Sequence, residues 1–228
     1  MGKAIFFLFL LPLSWLPLDL LYRIAYLIYF LLYRILGYRK DVVINNINTS
    51  FPKLNQKAKK QIIKDYYKHF ADILIEGIKN LSISEASLKK RYKIRNPELV
   101  NAYFEQGQSI ILCAGHINNW EWWITHQNIA LKHQAIGIGM PLTQASLGKE
   151  INKRRERLGM IVTDSKNYKT EIGKPENNPF ALLILGDQSP GSVKKSYWTH
   201  FLKQETAFTF GTEMIANSYN LPVTVSYT

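Results

Sequence analysis

The chain has 228 residues, 29 Lys or Arg against 17 Asp or Glu, a formal charge of +12 and 13% aromatics. That length holds one ordinary domain with a core plus an appendage, and the aromatic content excludes a disordered chain. The single cysteine, Cys113, excludes an intrachain disulfide and a cysteine-based metal cluster and suits a reducing compartment, while the charge asks for nucleic acid, an anionic membrane face or a phosphorylated substrate.

Residues 4–36 read AIFFLFLLPLSWLPLDLLYRIAYLIYFLLYRIL. A bilayer span needs ~20 mostly apolar residues, so the length suffices. The run is interrupted, however, by Pro12 and Pro17 and by the charges Asp19, Arg23 and Arg34. A charge at the bilayer centre costs at least about 2.5–3.5 kcal/mol. Trp15, Tyr22, Tyr26, Tyr29 and Tyr33 prefer the water interface, and Arg34, Arg39 and Lys40 end the segment. The favoured reading is a membrane-anchoring helix, straight or kinked, that lies in or dips into the cytoplasmic leaflet. Residues 1–37 would then be the anchor and residues 38–228 a second unit. A true span and a core helix are the alternatives; a cleaved signal peptide lacks its small-residue end.

Residues 38–52 are polar with an apolar interleave and a proline stop. Asn55 caps an amphipathic helix whose apolar positions include Ile62, Ile63, Tyr66, Tyr67, Phe70 and Leu74, close to a 3.6 period. Residues 88–94 read as a short strand, and Pro97 opens a helix that Gly107 ends. Short apolar runs then predict strands over 109–114, 135–139, 160–163, 180–185 and 222–226. Helices are predicted over 120–131, 145–158 and 212–219. This alternation predicts an α/β fold with a central, mostly parallel sheet and flanking helices. A strand still running at the chain end leads us to expect that the sequence continues, or that this strand closes the sheet.

The stretch CAGHINNWEWW, Cys113 to Trp123, sets His116 at the carboxyl end of the first strand, where open α/β sheets bind ligands. Asn118 and Asn119 are good caps for the next helix, and Glu121 falls in its first turn. If the chain turns there, Glu121 folds back on the imidazole, fixes its tautomer and leaves the other nitrogen to draw a proton from a hydroxyl. The alternative is an acidic residue that favours a helix start and an ordinary loop histidine. Asp187-Gln188-Ser189-Pro190-Gly191 follows the strand FALLIL at the same expected edge; it is good turn chemistry, and Asp187 and Gln188 could equally bind acceptor hydroxyls or brace the site. Lys194 and Lys195 follow and could meet a phosphate. His69, His126, His133 and His200 lack a strand-end setting and read as structural, and no pair has a zinc spacing with enough partners.

Taken in order, these residues resemble the bacterial lipid A biosynthesis acyltransferases of the wider lysophospholipid acyltransferase superfamily. The resemblance rests on the apolar N-terminus, Tyr38-Arg39 through Asn46 to Phe51-Pro52, and Gly115-His116 to Glu121 as an HX4E motif. It continues with Gly186-Asp187-Gln188-Ser189-Pro190, then Thr206-Ala207-Phe208 through Gly211 to Leu221-Pro222-Val223. It covers nearly the whole chain and implies an acyltransferase with His116 as general base and Glu121 as its orienting partner. The implied substrate-binding residues are Asn119, Met140, Pro141, Arg154, Asp187, Gln188 and Ser189. Met140 stands where family members carry a basic residue, and Arg154 is the member of the Arg154, Arg155, Arg157 cluster expected to meet a phosphate or the oxyanion.

The resemblance further implies a thioester co-substrate on acyl carrier protein or CoA, no other cofactor and no metal. The acceptor would be a hydroxyl of a lipid A precursor or related glycolipid, at the cytoplasmic face of the bacterial inner membrane. Another lipid acceptor keeps the same chemistry. A basic membrane-binding module without catalysis would explain the charge but not the strand-end His116, Glu121 and Asp187. No nucleic-acid-binding signature is present.

Overall fold

The computed structural model describes residues 1–192, 194 and 196–226. Seven strands are present among them: β1 (Ile110–Ala114), β2 (Gln134–Ile138), β3 (Ile161–Thr163), β4 (Phe180–Leu185), β5 (Ser196–Phe201), β6 (Gln204–Thr209) and β7 (Val223–Val225). Five of them form one sheet in the order β3-β2-β4-β1-β7, and every pairing in it is parallel. β5 and β6 make a separate antiparallel hairpin.

Alternation sorts the strand side chains onto two faces. Ile110 and Leu112 of β1 and Ala181 and Leu183 of β4 share one face with Trp123 and Leu131, covered by the Trp120–Ala130 helix. Ile111, Ile136 and Leu182 face the other way, onto Ile172 and Ile215, which the Tyr168–Ile172 and Gly211–Tyr219 helices supply. β1 and β4 are thus covered on both faces, which is why they read as unbroken apolar runs.

The N-terminal run forms two helices, Gly2–Trp15 and Leu18–Ile35. Pro12 has no N–H to donate, and the turn before it widens to π geometry over Phe6–Leu10. The first helix stops before Pro17, where Leu16 is extended as a pre-proline residue tends to be. Its freed end carbonyls are not left bare. Lys79 donates to the Ser14 and Leu16 carbonyls, each at 3.0 Å, and the Ser82 hydroxyl donates to Ser14 at 2.7 Å.

The second helix lays Leu18, Leu21, Ala25 and Tyr29 against Ile63, Tyr67, Ala71 and Ile75 of the Gln56–Asn80 helix. On both helices the contacting residues recur mainly at four-residue spacing, the row that meshes ridges into grooves. Gly37 and Arg39, both at positive φ, then turn the chain, and the Lys40–Ser50 helix departs at 86°. One face of the N-terminal run is therefore core. The opposite face is exposed, with Leu8, Phe9, Trp15, Tyr26, Leu27, Ile35 and Leu36 each 62–68% accessible. No single helix among the described residues is long and apolar enough to cross a membrane, although Leu18–Ile35 and Lys40–Ser50 would pass together as a bent pair.

One expectation is corrected and one element is new. Residues 88–94 are not a strand: a helix covers Glu85–Arg91, begun by Ser84, whose hydroxyl accepts from the Ser87 amide at 3.2 Å. The β5–β6 hairpin was not expected at all.

Leu21 is fully buried and Leu27 is 66% exposed. Leu21→Ala should destabilise the protein by about 2–4 kcal/mol, the cost of a core cavity, and Leu27→Ala by less than ~0.5 kcal/mol, both read by chemical denaturation in mild detergent.

Candidate active site

Strand register builds the site. Ala114, the last residue of β1, lies opposite Leu185, the last of β4, and Gly186 extends the pairing by donating to the Ala114 carbonyl at 2.9 Å. Two residues beyond each strand end stand His116 and Asp187, level with one another and about 4.8 Å apart in strand spacing. The Asp187 carboxylate takes both donors of His116: Oδ2 accepts the backbone amide and Oδ1 meets ring Nδ1, each at 2.7 Å. Gly115 makes room for this, since a Cβ there would lie 3.1 Å from Oδ2.

In the neutral tautomer that gives Nδ1–H to the carboxylate, Nε2 carries the free lone pair. It has one long contact, 3.4 Å to the Gln188 side-chain amide. Trp120 sets its ring edge-on to the imidazole, with centroids 4.8 Å apart.

Glu121 does not serve His116, which corrects the expectation drawn from the HX4E spacing. Asn119 caps the Trp120–Ala130 helix, its Oδ1 accepting the Trp122 amide at 3.0 Å. Glu121, in the first turn, is carried away from the ring, and both its carboxylate oxygens go to Arg155: Nε donates to Oε2 at 3.0 Å and Nη2 to Oε1. The pair is largely buried, with side-chain exposures of 18% and 14%.

Arg155, rather than the expected Arg154, reaches the site. The reason is helical phase. Gly148, Asn152 and Arg155 are spaced i, i+4, i+7 and line one cavity together, whereas Leu147 and Ile151, on the stripe that continues to Arg154, pack against the first N-terminal helix. Arg157 is a brace, donating to the Arg154 and Ile83 carbonyls at 2.5 and 2.8 Å. Burial, and then the neighbouring Arg154 charge, lowers its guanidinium to about 10.

Two adjoining cavities open at this edge. The first, about 270 Å³, runs from His116, Trp120 and Gln188 past Arg155 into an apolar interior at Ile124, Met160 and Leu183. Met160 and Leu183 are each only 2% exposed, and Leu183 lies two residues inside the end of β4, about 6–7 Å by strand rise. Gly137, on β2, matters because a Cβ there would come within 2.4 Å of the Met160 methyl. The second cavity, about 400 Å³, is more polar and is lined by Met140, Pro141, Lys149, Asn152, Arg155 and Glu171 among others. Gly139, Met140, Leu142, Arg155 and Val162 border both.

Of the residues expected to bind substrate, Met140, Pro141 and Gln188 line these cavities, and Asp187 borders neither but bonds to His116, which lines the first. Asn119 does not line them: it is 9% exposed, and its amide donates to Glu76 at 2.6 Å while its oxygen caps the helix. Ser189 is exposed and borders neither cavity. Lys194 is exposed, and Lys195 lies outside the described residues. His126 and His133 are buried in the core, and burial pushes both imidazoles below the usual histidine range. Among the described residues no three His, Cys, Asp or Glu side chains gather as a metal site requires.

The sequence reading missed Glu76, Asn80 and Trp120. Only Trp120, inside the HX4E stretch, had a local signal; the other two reach across the fold from a helix that reads as ordinary packing. Compared with known proteins, the chain matches the model of one family, described as bacterial lipid A biosynthesis acyltransferase, over residues 2–227. No curated protein matches it.

The Glu121–Arg155 pair gives a stability test. Arg155→Met leaves a mostly buried carboxylate unpaired and should cost about 3–5 kcal/mol. Adding Glu121→Gln to Arg155→Met should recover part of that loss, read as a coupling energy in a double-mutant denaturation cycle.

Proposed function

We propose that this chain, which belongs to the bacterial lipid A biosynthesis acyltransferases and is an acyltransferase, moves a fatty acyl group from a thioester donor to a hydroxyl of a lipid A precursor with His116 as general base. The observation that carries this reading is the His116–Asp187 pair at the mouth of an apolar cavity. Asp187 holds Nδ1–H and orients the ring. Nε2 takes the proton of the acceptor hydroxyl as its oxygen attacks the thioester carbonyl. The carbon–sulfur bond then breaks, and the leaving thiolate takes back the proton from Nε2–H. Protons balance, and no acyl-enzyme is needed. Cys113 supports this economy: it lies within β1, beside Gly186, and not among the residues lining either cavity.

The apolar interior at Ile124, Met160 and Leu183 suits the acyl tail. Arg155, facing both cavities, is the cation best placed to meet the negative charge that develops on the carbonyl oxygen or a phosphate of the acceptor. Acyl carrier protein is the donor this reading favours, because an acidic carrier complements the +12 chain. The exposed apolar face of the N-terminal helices, with Trp15 and Tyr26 on it, suits an interfacial seat on the cytoplasmic leaflet of the inner membrane. Gly2 supports placing that seat beside the site: a Cβ on it would lie 2.6 Å from the Ser146 hydroxyl, at the start of the helix that borders the second cavity.

The test is lipid mass spectrometry of cells with and without the gene, together with transfer assays on the purified protein. The parent should add one acyl mass to a lipid A precursor. His116→Ala should lower the rate by about 10²–10⁴-fold, and Asp187→Asn by about 10²-fold or more, with the fold retained by circular dichroism. An active His116→Ala protein would sink the general-base reading. Met160→Ala should deepen the apolar pocket and move kcat/KM toward longer thioesters by about tenfold, within the ~1–3 kcal/mol that one methylene carries.

A further inference from the structure

The last turns of the Gln56–Asn80 helix touch the N-terminal helices on one side and the His116 loop on the other. Glu76 stands between them. The Tyr22 hydroxyl, from the Leu18–Ile35 helix, donates to its Oε1 at 2.5 Å. The Asn119 amide donates to its Oε2 at 2.6 Å. Its own carbonyl accepts the Trp122 indole N–H at 3.1 Å. One turn on, Asn80 donates to the Glu121 carbonyl at 3.0 Å and to the Thr125 hydroxyl at 2.8 Å.

The segment between β1 and the Trp120–Ala130 helix is therefore held at both ends. Asp187 fixes its start through the His116 amide and ring. Asn119 fixes its finish, and Asn119 is held by Glu76. Between them Asn118 sits at φ 49°, a left-handed conformation that a loop under constraint from both ends can keep. An ionised carboxylate accepts only, so its two oxygens can serve two donors on opposite sides at once.

We infer that Glu76 is a positioning residue for His116, and that through Tyr22 it ties the geometry of the site to the seating of the N-terminal helices. This deepens the general-base reading and rests on it. Loss of the carboxylate frees Asn119 to rotate. The helix cap and Trp120 then shift, and the imidazole that Trp120 abuts leaves its line to the acceptor oxygen. The effect belongs in kcat, because neither Glu76 nor Tyr22 borders the cavities.

The chemistry also predicts which replacement is tolerated. In Glu76→Gln the amide oxygen can accept from Asn119 while its NH2 donates to the Tyr22 oxygen, which can accept as well as donate. Glu76→Met has neither capacity. The experiment compares the full chain and its Glu76→Met, Glu76→Gln and Tyr22→Phe variants in one detergent. It reads kcat and KM for transfer and, separately, the His116 ring resonance in histidine-labelled protein at fixed pH, assigned with His116→Ala.

Glu76→Met should lower kcat about tenfold at unchanged KM, a small displacement of the base sufficing for that, and should move the ring resonance. Glu76→Gln should restore both. Tyr22→Phe, which keeps the Asn119 bond, should move the resonance in the same direction by less. A Glu76→Met protein with parental resonance and kcat but a lower melting temperature would reduce Glu76 to packing and overturn the proposal. Parental values in Tyr22→Phe would overturn the link to the N-terminal helices, even where Glu76→Met fails to fold. The resonance is independent of turnover, so a parent without acyl transfer would sink the general-base reading while positioning was still decided by the ring signal.

Discussion

The register between β1 and β4 is the constraint on which the site depends. Parallel strands that end level, Ala114 opposite Leu185, deliver the next residues of both loops to the same height. His116 and Asp187 then meet without any long reach, and the carboxylate can grip the backbone amide and the ring together. A slip of one residue would turn every side chain of either strand to the other face. The register is protected because each face is fully packed: Ile110 and Leu112 one way and Ile111 the other are all 0% exposed. Site geometry and core packing are in this sense one property of the sheet.

The five strands of the parallel sheet and most helices were legible because they obey local rules. SIILCA and FALLIL are buried on both faces, and Asn55 and Pro97 mark helix starts. What was not legible crosses the fold. HX4E spacing suggested that Glu121 returns to His116, but the helix that begins at Trp120 carries it to Arg155, 34 residues on. Asp187, 71 residues from His116, was identified only as a brace or binding residue, since nothing local gives the pairing of β1 with β4. The β5–β6 hairpin was missed for a different reason. Its turn uses Leu202 and Lys203 at positive φ, where glycine or asparagine would have signalled it. Residues 88–94 read as a strand because Ser84, the cap that starts the helix, lies outside that window.

The N-terminal run shows why an apolar segment cannot be assigned by composition alone. Half of it joins the core with Tyr67 and Ile75, and the other half stays bare. Pro17 breaks the run into two helices short enough to follow the domain surface. Lys79 and Ser82 then close the broken end. A lysine placed there loses water, and burial accordingly lowers its ammonium from the usual range. The two carbonyls it meets offset that cost, so the break is built into the fold rather than tolerated by it.

Charge is arranged by the same accounting. An unpaired buried ion costs several kcal/mol, and the charged groups of the site have partners: Arg155 with Glu121 inside, Asp187 with His116 at the mouth. Arg157 and Lys79 give their partly buried charge to backbone carbonyls instead, while many other cations stay outside. Arg34, Arg39, Lys40, Lys57, Lys60 and Lys64 are all exposed, the first three flanking the bare Ile35 and Leu36 in the chain and the others on the first turns of the Gln56–Asn80 helix. Apolar cavity and surplus positive charge are thus kept apart, the one within and the other without. Any phosphate that reaches Arg155 must share it with Glu121. The guanidinium is held on its other side as well, Nη1 donating to the Asn152 side-chain oxygen at 3.0 Å, so the plane of Arg155 is fixed by two neighbours and its charge is compensated where it is buried.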